Sequence, residues 1–362
     1  MNTKTVIIVL ATLLLSGCAV QTEAPLKVGA ILPMSGPTAV WGENLKNGME
    51  LAREELAVQG VNIDIIYEDS QAKPDVALTA YRKLKELDGV NMVFSAFSRV
   101  SVPLVSVADN DKMPIMMTVV AAKGVAEKSP YSFRFYSNER QYVEPQFAWM
   151  NSSVYNRVAV LWINDEFGSS VHDVILEQAQ LHKMSVVADE NYDPNSVDFR
   201  TQLTKIKVAN PKAILFVGSV PVEISNALKQ VRELGITADF IENSAALAQP
   251  ASLQAAGSAA EGAITLAFPF SLGRSGGEFR QAYKQRFSTE PNFAAAFGYD
   301  MVKLIGLASD GHTMSGEELA QRIVAVKTFE SLNGPVAIQP SGEINPAIEP
   351  AKVMNGSLVA LF

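Results

Sequence analysis

A few residues in this chain stand at spacings that could do covalent chemistry, and each spacing implies a different one. Leu15-Ser16-Gly17-Cys18 closes an apolar run, which places a thiol behind two small residues where processing and acylation would use it. Gly273-Arg274-Ser275-Gly276-Gly277 is a formal G-x-S-x-G, with Asp310 and His312 downstream in the order of a hydrolytic triad. Ser70-Gln71-Ala72-Lys73 matches S-x-x-K. Both hydrolytic readings fail on context. A serine nucleophile must sit directly on a strand-to-helix turn, whereas Phe268-Pro269-Phe270-Ser271-Leu272 intervenes and Glu278 starts the helix. Asp310-Gly311-His312 reads as a turn closing the helix before it, and Pro74, directly after Lys73, marks a helix start. His172 and His182 lie around a surface helix, and no H-E-x-x-H or carboxylate cluster suggests a metal. The expectation is a protein without catalytic residues, metal or cofactor.

Lys4 followed by the apolar stretch Val6 to Leu15 has the make-up of a signal peptide and is too short to span a bilayer. With Ser16-Gly17-Cys18 it resembles the bacterial lipobox, which implies a cleaved segment over 1–17, lipid on Cys18 and a tether over 18–25. The competing reading is a plain secretory signal with an incidental buried cysteine. Cys18 is the single cysteine of the chain, so no disulfide, Cys-x-x-Cys zinc site or thiolate cluster can form. The fold must hold by its core. Removal of 17 residues from 362 leaves more chain than one core usually serves, which suggests two domains. The formal charge is -8 from 30 basic and 38 acidic residues, and loss of Lys4 makes it -9. An acidic surface without basic clusters argues against nucleic acid and against electrostatic membrane binding, so the expected membrane attachment is through the lipid anchor only.

Strand-like runs alternate with amphipathic helices, the pattern of an α/β protein with parallel sheets covered on both faces. Leu26 to Leu32, Ile63 to Tyr67, Val90 to Phe94 and Pro114 to Met117 read as the first strands. Leu45, Met49, Ala52 and Leu56 share one helix face, and Val76, Ala80, Leu84 and Leu87 another. After a polar stretch around Tyr136 to Arg140 the pattern restarts with strands at Val158 to Ile163, Ser185 to Ala188, Ala213 to Val217 and Ile264 to Phe268. Phe199, Leu203 and Ile206, then Ile224, Leu228, Val231 and Leu234, mark buried helix faces between them. No Ser/Gly-rich linker separates the halves, which implies domains that touch and exchange strands.

Both halves open alike. The strand ending at Leu32 leads into a loop ending Trp41-Gly42, and the strand ending at Ile163 into one ending Phe167-Gly168. In open α/β sheets ligands lie beyond the carboxyl ends of strands, so each half would present an aromatic ring there and two facing edges would form a cleft. Either ring could equally be a packing residue at a helix start.

Val28-Gly29-Ala30-Ile31-Leu32-Pro33-Met34-Ser35-Gly36-Pro37, then Trp41-Gly42, Tyr67-Glu68-Asp69, Ile163-Asn164-Asp165-Glu166-Phe167-Gly168 and Phe293-Ala294-Ala295-Ala296-Phe297-Gly298-Tyr299-Asp300 follow in an order that is specific. In these the chain resembles the type I periplasmic binding proteins, in the branch of the leucine/isoleucine/valine-binding proteins of ABC importers. The resemblance implies two Rossmann-like lobes with parallel central sheets, joined by three crossover segments near Phe133 to Ser137, Ala267 to Pro269 and Pro335 to Ser341. Lobe 1 would comprise 26–136 and 269–340, and lobe 2 would comprise 137–268 and 341–362.

The resemblance also implies a set of ligand-binding positions. Ser98, at the start of the helix after the third strand, would hold a ligand carboxylate with the helix amides, or serve as an ordinary N-cap. Thr118-Val119-Val120-Ala121-Ala122 would supply head-group contacts from the next loop, with Thr118 and Val120 among them and Ala122 standing where relatives carry a threonine. Trp41 and Phe167 retain the aromatic positions; Val220 replaces a tyrosine. Ser244 replaces the acid that pairs with a ligand ammonium, with Glu242 two residues away. A buried ammonium without a carboxylate partner is costly. The cleft therefore suits an apolar or aromatic carboxylate, or a neutral amide, better than a zwitterion.

The expected function is a lipid-anchored receptor in the bacterial envelope that closes on a small molecule, an amino acid or related carboxylate or amide, and delivers it to an ABC transporter permease. The alternative is an envelope lipoprotein that uses the same fold as a ligand sensor or as an activator of a cell-wall enzyme. Ala19 after Cys18 favours that alternative, because in bacteria resembling enterics it permits transfer to the outer membrane.

Overall fold

In the computed structural model the described residues are 24–361. The signal peptide over 1–17, Cys18 and most of the tether lie outside them. Among the described residues no helix is long and apolar enough to cross a membrane.

The chain begins with β1 (Leu26–Leu32), α1 (Ala39–Val58), β2 (Ile63–Asp69), α2 (Pro74–Lys83), β3 (Met92–Ala96), α3 (Ser98–Asn110), β4 (Ile115–Thr118) and β5 (Ser132–Phe135). It crosses at 136–138 into α4 (Glu139–Trp149), β6 (Arg157–Ile163), α5 (Glu166–Leu181), β7 (Ser185–Tyr192), α6 (Arg200–Ala209), β8 (Ala213–Val217), α7 (Pro221–Glu233), β9 (Asp239–Glu242), α8 (Pro250–Ala256) and β10 (Ile264–Ala267). It then returns through α9 (Gly277–Phe287), α10 (Phe293–Ser309), α11 (Gly316–Ala325), the hairpin β11 (Thr328–Ser331) and β12 (Gly334–Ala337), and β13 (Glu343–Ile344). A last crossing leads to β14 (Glu349–Met354) and β15 (Ser357–Ala360). The first sheet has the order β13-β5-β4-β3-β1-β2, and the second β15-β14-β10-β9-β8-β6-β7. Strands of the first sheet pair in parallel. The second sheet is parallel from β7 to β10 and ends in the antiparallel pair β14 and β15, two short strands that the alternation of the sequence does not disclose.

The third crossing departs from the expected position. β13 pairs with β5 in the first sheet, so lobe 1 extends to Ile344 and the crossing runs over 345–348, not over Pro335 to Ser341. A buried ion pair fixes it there. Arg134 on β5 donates to both carboxylate oxygens of Glu343, at 3.0 and 2.6 Å, and to the Ala122 carbonyl at 2.7 Å. Arg134 is 2% exposed, so its charge requires this complete set of acceptors.

The helix faces at Leu45, Met49, Ala52 and Leu56 and at Phe199, Leu203 and Ile206 are buried as the periodicity predicts. Leu87 is the exception, at 79% exposure. α2 continues into a π-turn over Leu84–Asp88, and Leu87, inside that wider turn, is carried off the buried stripe. The Ala/Gly-rich start of α10 serves helix packing. A Cβ on Gly48 would stand 1.9 Å from the Ala295 carbonyl oxygen, and one on Gly298 would stand 2.2 Å from that of Leu45, so α1 and α10 touch backbone to backbone.

Candidate functional site

Beyond the carboxyl ends of both sheets lies a narrow cleft with about 400 Å³ of space between the atoms, part of it open to solvent. Its wall contains Trp41, Ser98, Phe167 and Ser244 from the expected set, together with Phe97, Arg99, Val119, Ala121, Tyr136, Tyr142, Asp165, Gly218, Ser219 and Ala246. Thr118, Val120, Ala122 and Val220 are buried but do not line it. Their neighbours do. Val119 has φ +54°, a left-handed turn that puts Val119 and Ala121 in the wall in place of Thr118 and Val120. Val220 is the N-cap of α7, and the backbone at Gly218 and Ser219 forms the wall instead.

The matched openings of the two halves have one physical cause. A Cβ on Gly42 would stand 2.2 Å from the Pro33 carbonyl oxygen, and one on Gly168 would stand 1.6 Å from that of Ile163. Each glycine lets its helix lie against the end of the preceding strand. The ring one residue earlier, Trp41 or Phe167, is thereby held at the sheet edge.

Rings form two walls. Trp41 meets Phe97 edge to face at 5.7 Å and Phe293 at 5.2 Å, while Tyr142 meets Phe167 at 6.1 Å and Tyr136 at 5.9 Å. Burial pushes the Tyr136 and Tyr142 hydroxyls up, so both phenols stay neutral. Trp41 Nε1 is buried and has no hydrogen-bond partner among the described residues.

The polar groups sit at helix starts. Ser98 is the first residue of α3, and Phe97 is its N-cap without a side-chain cap, so the N-cap role expected of Ser98 does not hold. Phe97 has φ +73° and ψ 135°, and its carbonyl already accepts from Val100 and Ser101 N–H. Ser98 Oγ accepts from Ala122 N–H at 3.3 Å. Asp165 caps α5 and accepts from Gly168 N–H at 2.9 Å. Burial raises the Asp165 carboxyl, against the pull of that N–H and of Arg99, whose Nε lies 3.7 Å away.

Beneath the wall are two more carboxylates. Glu223 accepts N–H bonds from Asn195 at 3.0 Å and Ser219 at 3.1 Å, and burial raises it above the usual range. Glu242 is 0% exposed and accepts from Ser244 Oγ, from Thr265 Oγ1 and from Ala246 N–H. Burial pushes it up to about 7, although those hydrogen bonds resist.

Positive φ at three residues other than glycine marks the rim. Phe97, Val119 and Ala245, at +73°, +54° and +65°, follow β3, β4 and β9 directly or within three residues, and border or lie between wall residues. Such strain concentrates where a clamp must present backbone to a ligand. The lobes touch at further points. Lys123 N–H donates to Ser170 Oγ at 3.2 Å, and Asn292 Nδ2 donates to Gln249 Oε1 at 2.9 Å.

The G-x-S-x-G does not form a strand-to-helix elbow. Ser275 Oγ donates to the Leu332 carbonyl, and α9 begins only at Gly277. His172 stacks on Trp162 at 4.5 Å, and among the described residues no acid and histidine group could hold a metal ion.

Sequence reasoning missed Phe97, Arg99, Tyr136, Asp165, Gly218 and Ser219 as wall residues. The signal was available, because each stands within three residues after a strand, where open sheets bind ligands. Tyr142 had no such signal, since it lies inside α4 and only the lobe arrangement brings it to the cavity.

The comparisons agree with this architecture. A Leu/Ile/Val-binding protein homolog from Brucella melitensis is 22% identical over 356 residues, covering 95% of this chain and 96% of that protein. A solute-binding protein of an ABC transporter from R. palustris, solved in complex with benzoate, superposes with TM-score 0.83 at 20% identity and covers 93% of this chain and 96% of that one. A branched-chain amino acid transporter substrate-binding protein from Streptococcus pneumoniae, in complex with isoleucine, gives TM-score 0.83 at 20% identity over 93% and 98%. The family model described as periplasmic binding protein matches residues 25–356. With two parallel-stranded lobes crossed three times and a cavity at their facing edges, the chain belongs to the periplasmic binding protein family.

Proposed function

We propose that the protein is a lipid-anchored solute receptor of an ABC importer whose ligand is a small carboxylate with an apolar or aromatic body. One observation carries the ligand class: two walls of rings enclose a cavity whose polar corner is Ser98 and Arg99 at the start of α3. Helix-start amides and a hydroxyl are an anion site, to which the Arg99 guanidinium adds a charge it shares with Asp165, 3.7 Å away, and the rings accept an apolar body. The orphaned Trp41 Nε1 would gain an acceptor from such a ligand. The single carboxylate in the wall, Asp165, is engaged by Arg99 and Gly168, which leaves an ammonium without a free acid on the surface. The relatives that bind benzoate and isoleucine support a ligand of this size. The ABC-transporter receptors among those relatives support delivery to a permease, and the lipobox-like Leu15-Ser16-Gly17-Cys18 supports the anchor.

The decisive experiment is mass spectrometry of the small molecule released on denaturing the purified protein, followed by a melting screen of amino acids, aromatic acids and small amides. A hit should raise the melting temperature by mass action. A screen in which only zwitterions shift the melt would refute the carboxylate reading. For the anchor, fatty-acid labelling of the wild type and its loss in Cys18→Ala is the expected pair of results.

A further inference from the structure

Ser244 is the point at which the cavity meets a buried acid. Its side chain lines the cavity and its Oγ is bonded to Glu242 Oε1, while Glu242 Oε2 is held by Thr265 Oγ1 on the neighbouring strand β10. The carboxyl has no exposure of its own, and Ser244 is the one side chain of the wall bonded to it; the backbone N–H of Ala246, also in the wall, lies 3.2 Å from Glu242 Oε1 and 3.3 Å from Ser244 Oγ.

An ionised carboxylate only accepts hydrogen bonds. With Glu242 charged, the Ser244 O–H must donate inward, and the wall presents lone pairs to the cavity. With Glu242 neutral and its proton on Oε1, the carboxyl donates to Ser244 Oγ and the serine O–H turns outward as a donor; a proton on Oε2 would instead donate to Thr265 Oγ1, whose O–H has the Leu266 carbonyl at 3.3 Å, and would leave Ser244 donating inward. We propose that Glu242 is a positioning residue that sets, through Ser244, whether the wall offers a ligand a donor or an acceptor. In the neutral form the cavity favours acids without an ammonium; in the charged form it tolerates ligands that carry one. The inference rests on reading this cavity as the ligand site.

The surroundings allow the change. The titratable groups that face Glu242 are the phenols Tyr136 on the first crossing, Tyr142 on α4 and Tyr192 on β7, and burial keeps all three neutral. From α4, Gln146 Nε2 donates to the Glu242 carbonyl at 2.7 Å and fixes the backbone. Burial leaves the carboxyl close to the point where a proton is exchanged near neutral pH.

The test measures affinities of 4-methylpentanoate and leucine by calorimetry at pH 6.0 and 8.5. In the wild type the acid should weaken about tenfold as pH rises, with the preference moving toward leucine. Glu242→Gln, whose amide cannot ionise, should hold the acid preference at both pH values, and Ser244→Ala should lose the shift although Glu242 remains. A shift that persists unchanged in Ser244→Ala overturns the proposal, even if Glu242→Gln fails to fold. Should neither compound bind the wild type, the ligand class is wrong and infrared spectroscopy of the ligand-free protein still decides. A protonated-carboxyl band that disappears between pH 6.0 and 8.5 and moves in frequency in Ser244→Ala sustains the inference. Absence of that band, or a band indifferent to Ser244, overturns it.

Discussion

Arg99, in the first turn of α3, stands 3.7 Å from Asp165, the N-cap of α5, and the pair spans the cleft between the lobes. Both side chains are mostly buried, at 14% and 8% exposure, so the attraction is only partly screened. The same guanidinium borders the proposed carboxylate corner, which makes it serve both closure and ligand charge.

Asp165→Asn separates those roles, because asparagine still caps a helix but carries no charge. The ligand-free closed state should lose about 1 kcal/mol relative to the open one, roughly a fivefold change in the ratio. Small-angle scattering should report a larger radius of gyration for the ligand-free variant. Equal radii for variant and wild type would remove the ion pair as a cause of closure.

Ser98→Ala and Trp41→Ala act on the two ends of the proposed ligand. The serine change should weaken a bound carboxylate by about 1 to 3 kcal/mol, the usual effect of losing one hydrogen bond to a charged group. Trp41→Ala should cost a similar amount through lost apolar and edge-to-face contact. Calorimetry with benzoate checks both, and unchanged affinity in Ser98→Ala would place the anion elsewhere.

Gly42→Ala and Gly168→Ala should each destabilise the fold by about 2 kcal/mol or more, since a methyl group has no room against the Pro33 or Ile163 carbonyl. Gly36→Ala is the control: no atom lies within 4 Å of its Cβ, though its φ of +77° adds a smaller strain. Urea unfolding that ranks Gly36→Ala as the most damaging would contradict the packing argument.

Glu242 should tilt stability with pH. Its ordinary ionisation lies near 4.5 and the folded protein raises it to about 7, so between those values the native state holds a proton that the unfolded chain has released. Stability from this group is therefore greatest below the window and falls as pH rises through it, by about 3 kcal/mol in all. The stability of Glu242→Gln relative to wild type should increase from pH 5 to pH 7.5. A pH-independent difference in urea unfolding would show that the buried carboxyl ionises normally.

Much of the scaffold was legible because local periodicity is caused by burial. Strand Leu26–Leu32 and strand Ala213–Val217 stand at the expected bounds, since each is an apolar run of a length that a buried parallel strand requires. The pairing of Trp41-Gly42 with Phe167-Gly168 was legible too, as the glycine is forced by a contact only a few residues away in the chain. The third crossing was not. Its position depends on Arg134 finding Glu343, 209 residues later, and no local pattern encodes that partner.

The same division holds for the candidate site. Residue types after each strand determined a cleft with rings and a helix start, because the chain direction alone puts those loops at one edge of a parallel sheet. Which of Thr118, Val119 and Val120 borders the cavity was decided by one left-handed residue, and Tyr142 entered the wall only through the docking of α4. The relation of Glu242 to the cavity was decided the same way. It stands two positions before Ser244 in sequence, but only β10, closing over it with Thr265, makes it a buried acid bonded to a serine of the wall.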